Sequence, residues 1–341
     1  MVDPMTIDLG TRWLGLELRS PLVLGASPLT DDLEALAAAV KAGAGAIVMR
    51  SLFEEQVIAE QMAVHRFIDG HVDIDAEART FLPTAELFPV GIEPYLAQLA
   101  RIKARVPVPV LASLNGTTDG GWLDIAQRLV DAGADALELN LYEIVTDPEE
   151  SSGAVEERQL AVVAHVARNV AVPVSVKLSP FYASLPGFVR RLADAGARGV
   201  VLFNRFYQSE IDVDALEVKP TLHLSTSAEL PLRLNALATL SGRVPIALAC
   251  SGGVHTGTDA LSAVLAGADA VQLTSAVLHG GPATFTRVTR ELRDRMAGVG
   301  YRSVDEARGA MNLLNCPNPH AWQRAHYMRV LRGWHSERRA R

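Results

Sequence analysis

Lys177 stands inside the apolar run Val174-Ser-Val-Lys-Leu178. An ammonium in such a run must be desolvated, and so it is either paired or put to use. Three roles suit it: a Schiff-base nucleophile, a fixed positive charge beside a cofactor that becomes anionic when reduced, or an ion pair with Glu138 on a neighbouring run. Ser251-Gly-Gly253 opens directly into a helix that begins Thr256-Gly-Thr-Asp-Ala-Leu261, and Thr274-Ser275 ends the following run. Glycines let backbone N–H groups approach an anion, and a helix N-terminus adds the positive end of its dipole. Gly252, Gly253, Thr274 and Ser275 are therefore expected to hold a phosphate. Glu143 is a carboxylate able to take a proton, or else a solvated loop residue beside Asp147, Glu149 and Glu150. The planar guanidinium of Arg50 suits bidentate recognition of a carboxylate.

A recurring unit must position these groups. A small-residue turn followed by an apolar run appears at Gly43–Arg50, Gly133–Asn140, Gly196–Asn204 and Gly267–Thr274. Each copy follows an amphipathic stretch, such as Asp119 to Ala132 or Phe188 to Ala195, which predicts a helix stopping at glycine and feeding a buried strand. Three more runs start at proline, Pro109–Asn115, Pro173–Leu178 and Pro245–Ser251, and another spans Pro21 to Ala26. Eight short runs without clean alternation, separated by helices, predict parallel strands covered on both faces. Their near-regular succession through the chain predicts an α/β fold, a single (β/α)8 TIM barrel, over a doubly wound sheet.

The strand ends would then carry Ser27, Arg50 and Ser51, Asn115, Asn140, Lys177, Asn204, Ser251-Gly252-Gly253 and Thr274-Ser275. A purely structural barrel gains nothing from so many polar groups at one rim, each needing a partner. Long connections after the second strand (Leu52 to Pro89), the fourth (Leu141 to Gly153) and the sixth (Arg205 to Glu229) leave the same rim and predict a lid over a small ligand. Residues 1–315 are expected to form the barrel domain, and residues 316–341 an appended helical extension of it, rich in arginine.

The 341 residues carry 32 basic and 39 acidic side chains, a net charge of −7, which disfavours a phosphate-backbone partner such as nucleic acid. Two cysteines, Cys250 and Cys316, supply neither a disulfide framework nor an iron–sulfur cluster, and no metal site is expected. No apolar run reaches membrane-spanning length and the N-terminus has no signal-peptide character, so a cytoplasmic protein without membrane contact is expected.

The motifs Ser20–Ser27, Leu137-Glu-Leu-Asn-Leu141, Val176-Lys-Leu-Ser-Pro180, Ser251-Gly-Gly-Val-His-Thr-Gly257 and Gly267-Ala-Asp-Ala-Val-Gln272, in this order, resemble the dihydroorotate dehydrogenases, particularly their soluble branch. The resemblance runs from Leu14 to about Gly309. It implies an FMN at the barrel mouth, with Lys177 near the flavin N1/O2 edge. Asn115 and Asn140 would lie along the ring, Ala26 and Ser27 beneath it, and Ser51 is retained. It further implies oxidation of dihydroorotate to orotate in pyrimidine biosynthesis, a homodimer, and a soluble acceptor such as fumarate or a separate electron-transfer protein.

The substrate half departs from the family. After the fourth strand the family carries Asn-x-Ser-Cys-Pro-Asn, or serine for that cysteine, whereas this chain has Asn140-Leu-Tyr-Glu-Ile-Val145. Asn140 is kept, Glu143 takes the place of the catalytic base, and Val145 replaces a substrate asparagine. Arg50 stands where the family has lysine, Pro89 where another asparagine is usual, and Asn204 aligns with the last one. Arg50, Asn140 and Asn204 are thus the expected substrate contacts. Alternatives remain: a flavin enzyme with a different carbonyl substrate, a Schiff-base lyase using Lys177 on a phosphorylated substrate, and a catalytically silent flavin-binding subunit.

Overall fold

Two of the four copies of the glycine-led unit share one structural device. In Gly133-Ala-Asp-Ala and Gly267-Ala-Asp-Ala the aspartate sits just ahead of a strand and turns back to the strand before it. Asp135 Oδ2 accepts from Val110 N–H at 2.7 Å and from Lys103 Nζ at 2.6 Å. Asp269 Oδ2 accepts from Leu248 N–H at 2.8 Å, and Oδ1 from Arg308 at 2.9 Å. Each aspartate satisfies a backbone donor at the start of a buried strand that its own ladder leaves unpaired. Gly43 and Gly267 are helix C-caps, as the spacing predicts.

The computed structural model describes residues 3–53, 92–115, 122–205, 210–219, 221–319 and 327–329. Eight parallel strands close into a barrel in chain order: β1 (Leu22–Leu24), β2 (Ala46–Phe53), β3 (Val110–Asn115), β4 (Ala136–Asn140), β5 (Val174–Leu178), β6 (Gly199–Leu202), β7 (Ala247–Ser251) and β8 (Ala270–Leu273). Between them run α1 (Leu33–Ala42), α2 (Ile92–Arg105), α3 (Trp122–Asp131), α4 (Ser152–Asn169), α5 (Leu185–Asp194), α6 (Leu230–Leu240) and α7 (Gly257–Ala266). The short α8 (Ser275–Gly280) and the longer α9 (Thr284–Val299) follow β8. The TIM barrel expected from the sequence is the fold. Among the described residues no helix is long and apolar enough to cross a membrane. Residues 54–91, with Pro89, and most of the 316–341 extension lie outside the described residues.

Contrary to the expectation from the runs, two strands alternate cleanly once both faces are seen. In β4, Leu137 and Leu139 turn outward to the helices, while Ala136, Glu138 and Asn140 turn into the barrel. In β5, Val174, Val176 and Leu178 face the helices, and Lys177 points inward. The outward leucines are nearly fully buried, and each contributes about 1.5–3 kcal/mol. The floor of the interior is apolar: Val23, Ala46, Val48, Leu111, Ala136, Val201, Ala249 and Ala270 cluster with Trp13 and Leu14. Those last two belong to an N-terminal hairpin (Thr11–Trp13 paired with Leu16–Leu18) that seals the bottom. Its two-residue turn, Leu14-Gly15, takes positive φ at both positions, as a tight hairpin requires. Above this floor the interior becomes polar.

Asp135→Ala is expected to lower stability by about 1–3 kcal/mol, because the fully buried Val110 N–H loses its acceptor. Asp135→Asn keeps an acceptor oxygen and should lose less. Thermal and denaturant melts of the two variants check the order.

Candidate active site

Register brings the predicted rim residues to one height. Asn115 pairs with Asn140 across β3 and β4, and Asn140 with Lys177 across β4 and β5. All three are buried. Asn140 Oδ1 accepts from Asn204 Nδ2 at 3.0 Å, so two expected substrate contacts already touch. Ser51 Oγ lies 2.8 Å from Ser113 Oγ.

Beneath this row Glu138, fully buried, lies between two partners. Lys177 Nζ is 3.5 Å from its Oε1, and Gln272 Nε2 donates to its Oε2 at 2.7 Å. Lys177 also donates to Gln272 Oε1 at 3.3 Å, closing a three-member network from β4 and β5 to β8. The ion pair with Glu138 anticipated among the roles of Lys177 is present. It does not displace a site role, because Lys177 also lines the cavity above. A buried carboxylate pairing an ammonium makes the latter a fixed positive charge, which suits a Schiff-base nucleophile poorly.

The cavity at the barrel mouth is lined by Ala26, Ser27, Lys177, Asn204, Gly252, Thr274 and Ser275 from the expected set. Ser27 Oγ is buried and, among the described residues, has no hydrogen-bond partner. Leu222 and Leu224 wall the cavity from the long β6–α6 connection, which also carries an antiparallel hairpin (Glu210–Asp212 with Glu217–Lys219) that the sequence did not announce. Gly252 and Gly253 have φ of +88° and +81°, a conformation that only glycine adopts without strain. The Gly253 N–H donates to Ser225 Oγ, which in turn lies 2.9 Å from Ser275 Oγ.

The helix that follows this turn behaves differently from expectation. Its N-terminus is already capped: Thr256 Oγ1 accepts from Asp259 N–H at 3.1 Å, and Asp259 Oδ2 accepts from the Thr256 and His255 N–H groups. Glu291 Oε2 accepts from Gly257 N–H at 2.8 Å. The carboxylates of Asp259 and Glu291 thus lie at the N-terminus of α7 and offset the positive end of its dipole.

Other expected contacts stand apart from the cavity. Arg50 is held by Asp31 (Nε to Oδ1, 2.8 Å), with its guanidinium 5.8 Å from the centre of the Tyr95 ring. Glu143 does not line the cavity. Its carboxylate accepts from Arg158 Nη2 and, at 3.5 Å, from Gln159 Nε2, both on α4, while Arg158 also binds Glu150. Sequence reasoning overlooked Gln272, Ser225 and Arg233 as site residues. For Gln272 the signal was present: it is the inward position two residues before Thr274. For Ser225 and Arg233, in a connection and a helix, there was none.

Among the described residues no group of three His, Cys, Asp or Glu side chains is placed to hold a metal. Cys250, just before the turn, is fully buried, and burial pushes its thiol up to about 12.

Fold and site define a (β/α)8 barrel with a glycine turn after β7 and a buried cation at the mouth. The chain belongs to the dihydroorotate dehydrogenase family, whose profile matches residues 9–296. Members of that family are flavin-dependent oxidoreductases acting on a CH–CH bond. The chain is 32% identical over 221 residues, 62% of its length and 70% of the relative's, to the putative dihydroorotate dehydrogenase A (fumarate) of Aeropyrum pernix. It is 27% identical to the dihydroorotate dehydrogenase B (NAD(+)) catalytic subunit of Methanothermobacter thermautotrophicus, covering 89% of this chain and 99% of that one. With the corresponding subunit of Methanosarcina acetivorans it shares 31% over 86% of this chain and 93% of that one.

Iodoacetamide at pH 8 is expected to alkylate the partly exposed Cys316 and spare Cys250, whose thiolate is scarce at that pH and out of reach. Peptide mass spectrometry of native and unfolded samples checks this, and labelling of Cys250 in the native protein would refute it.

Proposed function

We propose that this protein is an FMN-dependent dihydroorotate dehydrogenase that oxidises the CH–CH bond of dihydroorotate to orotate, as in pyrimidine biosynthesis. The observation that carries this is the barrel mouth, where Lys177, held from below by Glu138 and Gln272, and Gly252 of the glycine turn line one cavity. The residues present fit a flavin mononucleotide. The orphaned Ser27 Oγ offers a polar contact, and the glycine turn offers backbone room for a phosphate. Ala26, Ser27 and Ser51 would bed the ring, Asn115 and Asn140 would hydrogen-bond along it, and Gly252, Gly253, Thr274 and Ser275 would hold the phosphate. Bound FMN supplies the hydride acceptor. The fixed charge of Lys177 then favours the negative charge that arrives with the hydride.

On the substrate side, Asp31 occupies the Nε of Arg50, and among the described residues its terminal nitrogens have no hydrogen-bond partner and would be offered to a carboxylate. Asn140 and Asn204 present amides to the ring. Glu143 takes the proton alpha to the carbonyl as hydride leaves the adjacent carbon and the C=C bond forms. For this the β4–α4 connection has to release Glu143 from Arg158. That pairing, with Val145 in place of an asparagine, favours a second reading: a flavin-binding subunit without turnover.

Relatives whose names specify fumarate or NAD(+) support two acceptors, a soluble one such as fumarate or a separate electron-transfer subunit. We also propose a cytoplasmic homodimer in which residues 1–315 form the barrel domain and 316–341 extend it.

The anaerobic visible spectrum before and after dihydroorotate tests the reaction. Bleaching of a flavin band is expected, a band that stays moves the substrate elsewhere, and absence of flavin after adding FMN would return the lysine-based lyase. Glu143→Gln is expected to keep flavin bound and slow bleaching by about 10²-fold or more. Bleaching at the wild-type rate would discard Glu143 as the base.

A further inference from the structure

An anion in the mouth needs compensating charge, and carboxylates offset the positive end of the α7 dipole. The nearest cation on the Gly252 side is Arg233, four residues into α6 and 6% exposed. Two of its three nitrogens are engaged: Nε donates to Ser251 C=O at 3.1 Å, and Nη1 to Glu229 C=O at 2.9 Å. Those two bonds lock the guanidinium plane against the end of β7 and direct Nη2 at the glycine turn. A Cβ on Gly252 would lie 3.0 Å from Nη2. Among the described residues Nη2 has no hydrogen-bond partner, and Arg233 lines the cavity together with Ser225, Gly252, Thr274 and Ser275.

The neighbouring charges leave the wall positive. Among the described residues Glu229 is the carboxylate that faces Arg233; Arg205 Nη1 binds both its oxygens, at 2.7 and 2.6 Å, and its distance to Arg233 Nη1 is 4.0 Å. Burial opposes ionisation of Glu229, but the Arg205 contacts outweigh it and hold the carboxyl below its usual range. Two guanidinium groups thus face one carboxylate, and Glu229 is committed mainly to Arg205. A desolvated guanidinium with free donors beside a glycine turn matches a phosphate monoester better than a neutral group.

We propose that Arg233 is a phosphate-binding residue of the cofactor site, with Nη2 donating to the phosphate that the Gly252-Gly253 turn and Ser275 receive. The assignment rests on the flavin mononucleotide reading above and adds a side chain from α6 that supplies the charge of the subsite. It also explains why a helix inserts an arginine into a buried position behind a backbone turn.

Flavin-free full-length protein is titrated with FMN and with riboflavin, which lacks the phosphate, by quenching of flavin fluorescence. Wild type is expected to prefer FMN strongly. Arg233→Met is expected to lose about 10- to 100-fold in FMN affinity and little for riboflavin, so that the preference collapses. Arg233→Lys keeps a cation beside Glu229 but cannot fill the Nε, Nη1 and Nη2 positions together. It is expected to weaken FMN and not riboflavin, and it serves if the methionine variant does not fold. A variant that keeps the wild-type preference overturns the role of Arg233 while leaving the flavin site standing. A wild type that binds both flavins equally, or neither, overturns the phosphate subsite itself and with it the FMN reading.

Discussion

The molecule depends on one buried charge pair. Glu138 and Lys177 face each other inside a barrel whose floor is apolar, and removing two such charges from water costs several kcal/mol each before any contact is made. The cost is offset only if both partners and the remaining lone pairs are satisfied together. Gln272 does this from β8, giving its amide hydrogen to Glu138 and its carbonyl to Lys177. The network therefore requires β4, β5 and β8 to hold the register that barrel closure imposes. The N-terminal hairpin contributes from below, where Trp13 and Leu14 fill the bottom of the barrel beneath it. The result is an ammonium locked at the mouth, positioned before any ligand arrives.

A second constraint shapes the other side of the mouth. Glycine turns ahead of helices invite the view that the helix dipole binds the anion. Here α7 is closed by its own Asp259 and by Glu291 from α9, so the end of the helix is committed to packing the barrel's outer layer. The turn keeps its backbone geometry, and positive charge comes instead from Arg233, held by carbonyls of Ser251 and Glu229. Backbone shape and charge are thus delivered by different elements, β7 and α6. Two cations line the mouth, Lys177 on β5 and Arg233 on α6.

The loop after β4 is where the sequence departs from the motif that the family resemblance implies. Asn140, at the strand end, keeps its place because register fixes it beside Asn115 and Lys177. Three residues later the backbone is no longer constrained by the ladder, and Glu143 turns to Arg158 and Gln159 on α4. The same Arg158 binds Glu150, so the helix gathers the acidic connection onto its first turns. Asn115, Asn140 and Lys177 sit on strands and are held by register, whereas the proposed base sits on a connection and does not line the cavity.

Much of this was legible in the sequence for a simple reason. Barrel strands and their glycine or proline starts are local patterns, and each strand end had to be polar or apolar by residue type alone. Lys177, Asn115, Asn140 and the Gly252-Gly253 turn could be named as site residues because burial of such groups is costly wherever the strand goes. Even Asp135 and Asp269 belonged to a visible repeat, though not their hydrogen bonds to preceding strands. What tertiary structure alone decided were pairings between residues far apart in the chain. Gln272 meets Glu138 across 134 positions, and Arg233 reaches the turn after β7 from a helix whose local sequence carries no mark of a site. Whether a helix end is free or capped, and whether a loop carboxylate faces ligand or arginine, depends on neighbours that only barrel closure brings within hydrogen-bond reach.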